Sequence, residues 1–249
     1  MSGHSKWSTI KRKKGAIDAK KGKMFSRIVK EISIAVREGG PDPEANPRLR
    51  LAIQNSKGVN MPKDNVERAI NKADKEGADL QEVTFEGYAP HGVAVFIECL
   101  TDNNQRTVSQ VRSVFNKRDG NLGTNGSLAF IFDRKGVFTV KKGDMDPDEF
   151  QLEIIDAGVE DCDVEDEVFI ITTALEDFGS MQKKLDEMGV EVENAELQRI
   201  PNTTKELSVA DAKKVLNMME EFEDLDDVQN VYHNLELSDE VAAAMEAEE

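Results

Sequence analysis

The sequence predicts an α+β protein: a small amino-terminal helical domain with a basic arm, followed by two ferredoxin-like α+β domains, one inserted in the other. Three observations predict it. Apolar residues recur at spacings of three and four through residues 24–73. Beyond Glu76 the spacing switches between two and about 3.6. A last helix and strand after Pro201 have no partner unless they complete the sheet begun near Val93. At 249 residues the chain is long enough for two or three domains.

The helical domain spans residues 1–75. From Met24, Phe25, Ile28, Val29, Ile32, Ala35 and Val36 form one apolar stripe that ends at Gly39 and Gly40. Pro41, Asp42 and Pro43 turn the chain, and Asn46 followed by Pro47 caps a short helix carrying Leu49, Ala52 and Ile53. A third helix begins near Pro62, where Asp64 and Glu67 have the spacing of a capping box and Val66, Ala69, Ile70 and Ala73 form the stripe.

The second domain covers residues 76–135 plus 201–238. Strands Val83 to Tyr88 and Val93 to Leu100 flank the turn at Ala89 to Gly92, a helix runs from Asn103 to Arg118, and Leu128 to Phe132 reads as the returning strand. Within it lies the third domain, residues 136–200, in the order βαββαβ. Its strands are Val137 to Lys141, one near Cys162, Val168 to Thr173 and Val190 to Leu197; its helices are Pro147 to Ala157 and Leu175 to Met188. A helix from Ser208 to Glu223 and a strand from Val228 to Leu235 then return to the second domain. Residues 239–249 hold too few apolar side chains to pack and read as a disordered acidic tail.

Charge is distributed unevenly along the chain. The net charge is −17, yet residues 1–75 carry 18 Lys and Arg against 8 Asp and Glu, residues 76–142 are balanced, and residues 143–249 carry 6 against 33. Most of the positive charge lies in the arm and the start of the first helix: Lys6, Lys11, Arg12, Lys13, Lys14, Lys20, Lys21, Lys23 and Arg27, with the single tryptophan, Trp7, among them. Clustered cations displace counterions from phosphates, and an aromatic beside them stacks on a base or packs as a wedge, so these residues are the candidate nucleic-acid contacts. A solvated tail and an organellar transit segment are the competing readings of the same run.

Other chemistries find little support. His4, His91 and His233 fall in no HxH or HExxH spacing, so no metal site is expected. Gly120, Gly123 and Gly126 follow a helix rather than a strand, unlike a Rossmann or Walker loop, and read as a turn. The acids from Asp161 to Glu167 lack EF-hand spacing and read as a solvated face. Cys99 and Cys162 form no CxxC pair and read as reduced, structural residues. No enzymatic activity, cofactor, small-molecule substrate or membrane contact is expected, and the chain reads as cytoplasmic.

Several strings resemble the YebC/PmpR family: GHSKW at Gly3 to Trp7, DAKKGKMFSRI at Asp18 to Ile28, the run from Gly39 to Arg50, NMPKDNVERAI at Asn60 to Ile70, FEGYAPHGVA at Phe85 to Ala94, TDNNQRT at Thr101 to Thr107, and GNLGTNGS at Gly120 to Ser127. The resemblance runs to about Leu237 and departs at Ala89 and His91, where the family has glycine. It implies three domains, a cytoplasmic location and no catalytic activity. Family members are named probable transcriptional regulators, and others serve translation, as a mitochondrial activator or as bacterial factors for ribosomes stalled at proline runs. The partner is therefore promoter DNA or, alternatively, rRNA and tRNA on the ribosome. The loops Glu86 to Gly92 and Thr101 to Thr107, with Tyr88, His91 and Arg106, are candidates for a second surface. Val93 to Leu100 runs between them, so they are expected at opposite ends of that strand, about 25 Å apart, one facing the partner and the other stabilising the fold, with Asp102 or Asn103 capping the following helix.

Overall fold

The computed structural model describes residues 18–77 and 79–246. In chain order its elements are α1 (Asp18–Gly39), α2 (Pro47–Gly58), α3 (Lys63–Glu76), β1 (Gln81–Ala89), β2 (Val93–Thr101), α4 (Asn104–Lys117) and β3 (Asn121–Leu122). These are followed by β4 (Phe132–Lys141), α5 (Pro147–Ile154), β5 (Val159–Val164), β6 (Val168–Ala174), α6 (Phe178–Met188), β7 (Val192–Pro201), α7 (Val209–Glu223), β8 (Val228–His233) and α8 (Asp239–Glu246). The fold is α+β with two antiparallel sheets. The described chain divides into two compact units, residues 79–133 with 200–246 and residues 18–77 with 134–199.

In the first unit the sheet order is β3-β1-β2-β8. The β1–β2 hairpin pairs Gln81 with Thr101 and Ala89 with Val93, and β8 adds antiparallel to β2 with Ile97 opposite Val231. Every residue of β2 except Glu98 is buried, because both faces of the sheet are covered. Val93, Val95, Ile97 and Cys99 share a core with Val111, Val114 and Phe115 of α4 and Val215, Met219 and Phe222 of α7. On the other face Ala94 and Phe96 pack with Leu128, Phe132 and Tyr232.

Two expectations are corrected here. The returning strand is Asn121–Leu122, paired with Tyr88 and Gly87, and not Leu128 to Phe132. Leu128 lies fully buried in a turn segment, and Phe132 opens β4 in the other sheet. The run is apolar because it covers the back of the first sheet, a role that a short apolar stretch does not distinguish from a strand. Residues 239–246, expected to be disordered, form α8, with Val241 and Met245 one turn apart and buried in the first core. Two apolar side chains suffice because the neighbouring surface is already formed. Residues 247–249 lie outside the described residues.

In the second unit, α1, α2 and α3 bury Ile32, Ala35, Val36, Leu49, Ala52, Val66, Ala69 and Ala73 together. Asn46, 3% exposed, accepts from the Leu49 N–H (3.1 Å) as the helix cap and donates to the Ala35 and Gly40 carbonyls at 2.6 and 2.8 Å, which ties the end of α1 to the start of α2. Helix α1 starts six residues before the apolar stripe, so Asp18 to Lys23 of the arm is helical. Alanine and lysine favour helix, and no proline interrupts the run. The expected capping box of α3 is not formed. Pro62 holds the cap position, Asp64 lies in the first turn, where a carboxylate faces the positive helix end, and Glu67 pairs with Lys63 at 3.6 Å.

The inserted sheet has the order β5-β6-β4-β7, the ferredoxin-like arrangement, over a core in which Phe150 stacks on Phe169 at 4.2 Å and Phe138 on Phe178 at 4.7 Å. Among the described residues its edge strand β7 has no neighbouring strand on one side, and α2 covers that edge. Asn55 donates to the Ala195 carbonyl and accepts from the Ala195 N–H, both at 2.9 Å, occupying the groups a further strand would use. Gln182 donates to Gln54 at 3.0 Å, and Leu51 packs against the inserted core. The approach is so close that a Cβ on Gly58 would overlap the Glu193 carbonyl. Gly58→Ala is therefore expected to lower the thermal midpoint. Gly22→Ala, which meets nothing within 4 Å, should raise stability by about 0.5–1 kcal/mol; both are read by thermal melting.

Candidate nucleic-acid interface

Lys6, Trp7, Lys11, Arg12, Lys13 and Lys14 lie outside the described residues, as does the side chain of Lys20. Lys21 and Lys23 are exposed near the start of α1, and Lys23, Arg27 and Lys30 fall at i, i+4 and i+7, on one side of the helix. Farther along, the charges of α1 are used internally: Arg48 of α2 donates to Glu38 at 2.8 Å and to Glu31 at 3.1 Å. By sequence the cationic part of α1 is its first three turns, continuous with the basic arm, and Lys21, Lys23, Arg27 and Lys30 there have partners of their own.

On α2 and α3 two arginines are engaged within the fold. Arg50 donates to the Pro43 and Glu44 carbonyls, and Arg68 donates to Asn65 and to the Asp64 carbonyl. Both helices pack on α1.

As expected of loops at opposite ends of β2, the residues of the candidate second surface are not brought together. Tyr88, 37% exposed, stands at the end of β1. His91 sits in the following turn, with its Nε2 3.3 Å from Asp211, and has φ +63°. The Asp211 carboxyl is held below its usual range by hydrogen bonds from Lys214 and Ser208, with a smaller contribution from His91. Arg106 lies beyond the opposite end of β2. Its guanidinium donates to Asp227 at 2.7 and 3.0 Å and to Asp102 at 2.7 Å, and these bonds raise its pKa, Asp227 first. Asp227, 3% exposed, also accepts from Thr107 at 2.9 Å and Thr101 at 3.2 Å. Arg106 thus serves a buried carboxylate while its side chain stays 43% exposed. The cap of α4 is Asn103, which accepts from the Arg106 N–H.

A family model described as the TACO1/YebC protein N-terminal domain matches residues 5–76, and one described as the TACO1/YebC second and third domain matches residues 80–235. The chain belongs to the TACO1/YebC family. A protein from Amoebophilus asiaticus named probable transcriptional regulatory protein is 51% identical over 239 residues, which cover 94% of this chain and 98% of that one. A relative from Desulforapulum autotrophicum with the same descriptive name is 47% identical over 247 residues, covering 98% and 100%. The crystal structure of a conserved hypothetical protein, Aq1575, from Aquifex aeolicus is similar with a TM-score of 0.82 and 43% identity, covering 90% of this chain and 93% of that one.

Two of the strings that resemble the TACO1/YebC family prove to be one structural device. Glu86, in FEGY, is 4% exposed, and its carboxylate accepts from the Gly126 N–H at 2.7 Å and the Leu128 N–H at 2.6 Å, while its carbonyl accepts from Gly123 at 2.7 Å. It clasps GNLGTNGS to β1. The sequence signal was present in principle, as an acid inside an apolar strand opposite a glycine-rich loop rich in backbone donors. Asp227 had no such signal, because its partner Arg106 lies 121 residues away.

Among the described residues no group of three His, Cys, Asp or Glu is placed to hold a metal ion, and no helix is long and apolar enough to cross a membrane. Burial, with Asp161 and Asp163 nearby, pushes the Cys162 thiol up to about 11. Its alkylation at neutral pH should run about a hundredfold slower than that of a thiol at 9.0, measured by mass spectrometry of the intact chain. In the Arg106 network, Asp227→Ala should cost about 2–3 kcal/mol and Asn103→Ala about 0.5–2 kcal/mol in chemical denaturation, with Asp102→Ala nearly silent. At the left-handed turn position, His91→Val should cost about 1–2 kcal/mol while His91→Gly is tolerated.

Proposed function

We propose that this chain is a non-enzymatic, cytoplasmic regulator of transcription that binds DNA through its basic amino-terminal arm and the first turns of α1. The observation that carries this reading is the segregation of charge, with 18 basic against 8 acidic residues in positions 1–75 of a chain whose net charge is −17. A strongly acidic protein that keeps its cations in one stretch is arranged to meet a polyanion there and repel it elsewhere. The names of relatives that match nearly end to end support the same class. The contact residues are Lys6, Trp7, Lys11, Arg12, Lys13, Lys14, Lys20, Lys21, Lys23 and Arg27.

One observation favours a second reading, in which the partner is rRNA or tRNA on the ribosome and the chain relieves stalling at proline-rich sequences. Helix α1 shares its compact unit with the acidic inserted domain, which limits how far a straight duplex can lie beside it, whereas folded RNA offers a backbone that can be met at one small surface.

Binding of the full chain to duplex DNA, followed by fluorescence anisotropy across a salt series, tests the first reading. If the arm neutralises about six phosphates, log K falls against log salt with a slope of about −5. Replacing Lys11, Arg12, Lys13 and Lys14 with Ala should flatten the slope by about 3–4 units; an unchanged slope places the contact elsewhere. Crosslinking in cells separates the partners: promoter DNA supports the first reading, and ribosomal RNA or tRNA the second.

A further inference from the structure

From Asn103 to Arg118 the chain carries no acidic residue, although Asp and Glu number 49 of its 249 residues. This stretch is α4 and its caps. The inner face of α4, with Thr107, Val111, Val114 and Phe115, is buried against the first sheet. The outer face presents Gln105, Ser109, Arg112 and Asn116 at i, i+4, i+7 and i+11, a nearly straight exposed stripe. With Asn104 and Ser113 these residues line one open depression. None of the six makes a side-chain hydrogen bond or ion pair with another described residue. Helix α2 also lacks acids, but its Arg48, Arg50, Gln54 and Asn55 are all committed to partners within the fold. The polar side chains of this outer stripe hold no other described residue in place, and their types are those that hydrogen-bond base edges.

We propose that the outer face of α4 is a second nucleic-acid contact, which reads base edges in the major groove of duplex DNA. The inference rests on the DNA-binding reading above and adds to it the element that selects sequence. With 14 residues, α4 is about 21 Å long, and the major groove, about 12 Å wide, admits an α-helix. Arg112 is suited to the O6 and N7 of guanine, and Gln105 and Asn116 to the N6 and N7 of adenine. Ser109, the short residue between them, lets the helix approach closely. Charge complementarity points the same way, since an acid-free helix face is one a phosphate backbone does not repel.

The test uses the full chain as wild type, as Gln105→Ala/Arg112→Ala/Asn116→Ala, and as Lys11→Ala/Arg12→Ala/Lys13→Ala/Lys14→Ala. Each is carried through selection from a random duplex pool, with thermal melting on the same samples. The wild type is expected to enrich a sequence. The α4 variant should melt like wild type, keep its affinity for the unselected pool within about threefold, and lose about 10- to 100-fold on the enriched duplex. If the α4 variant selects the same sequence with the same affinity while the arm variant loses binding, the α4 contact is wrong and the arm reading stands. A wild type that binds duplexes but enriches none also overturns the α4 contact. A wild type that binds ribosomal RNA and no duplex overturns both. Ser109→Cys carrying a photocrosslinker gives a second measurement that does not depend on removing three side chains. Attachment to the enriched duplex is expected, and its absence overturns the proposal.

Discussion

The structure depends on strand β2 being buried on both faces and paired on both edges. Its neighbours come from distant parts of the chain: β1 from the preceding hairpin and β8 from more than 120 residues later. A strand with seven apolar residues among its nine can be covered in this way only if the chain returns after the insertion, so the burial of β2 makes the first unit discontinuous. The junction is closed by hydrogen bonds. The Asn202 N–H donates to the Ile131 carbonyl at 2.9 Å, and its side chain donates to the Phe130 carbonyl at 2.8 Å, so the chain entering and leaving the inserted domain is held together. An insertion with adjoining ends costs the host little loop entropy. Asn234 extends the closure by accepting from the Ala94 N–H at 2.8 Å and donating its own N–H to the Ala94 carbonyl.

Charge is used in two ways in this chain, and burial separates them. Asp227 and Glu86, each under 5% exposed, are supplied with enough donors to remain in the interior and act as fixed points, one for the start of α4 and one for the glycine-rich loop. Most other carboxylates stay near water, where their pairs are screened and contribute little. Several cations of the folded domains are taken up locally: Lys117 and Arg118 by Glu221, whose carboxyl is held below its usual range by them, and Arg48 by Glu31 and Glu38. Arg112 on the outer face of α4 takes no part in such pairing among the described residues.

Elements with a long, clean period were legible in the sequence. The stripe of α1, the alternation in β1 and β2, and the cap at Asn46 all follow from local chemistry. What was not legible depended on partners distant in sequence. Leu128 and Phe132 carry the same apolar signal whether they form a strand or cover a sheet, and only the position of the first sheet decides between them. Val241 and Met245 are too few to predict a core, yet they suffice against a surface already made by α7. Arg106 is an exposed cation, and nothing near it in sequence reveals its bond to Asp227. The outer face of α4 was hidden differently: its helix was evident, but the absence of internal partners for its polar residues appears only once the rest of the fold is in place.

Helix α1 and the outer face of α4 belong to different compact units, joined near residues 77–79 and again where the chain enters and leaves the inserted domain. If both contact one duplex, neither needs to be strong. A phosphate contact through the arm is tolerant of sequence and falls steeply with salt, whereas the base contacts of a single helix discriminate but add only a few kcal/mol. Once the arm is bound, engagement of α4 becomes intramolecular and is governed by an effective concentration rather than by the bulk one. The acidic remainder then acts as a filter, because it penalises any approach that does not meet one of these two contact surfaces. In such an arrangement affinity is set by the arm and selectivity by α4, so the two properties can be altered separately, as a regulator that must scan nonspecific sequence before stopping requires.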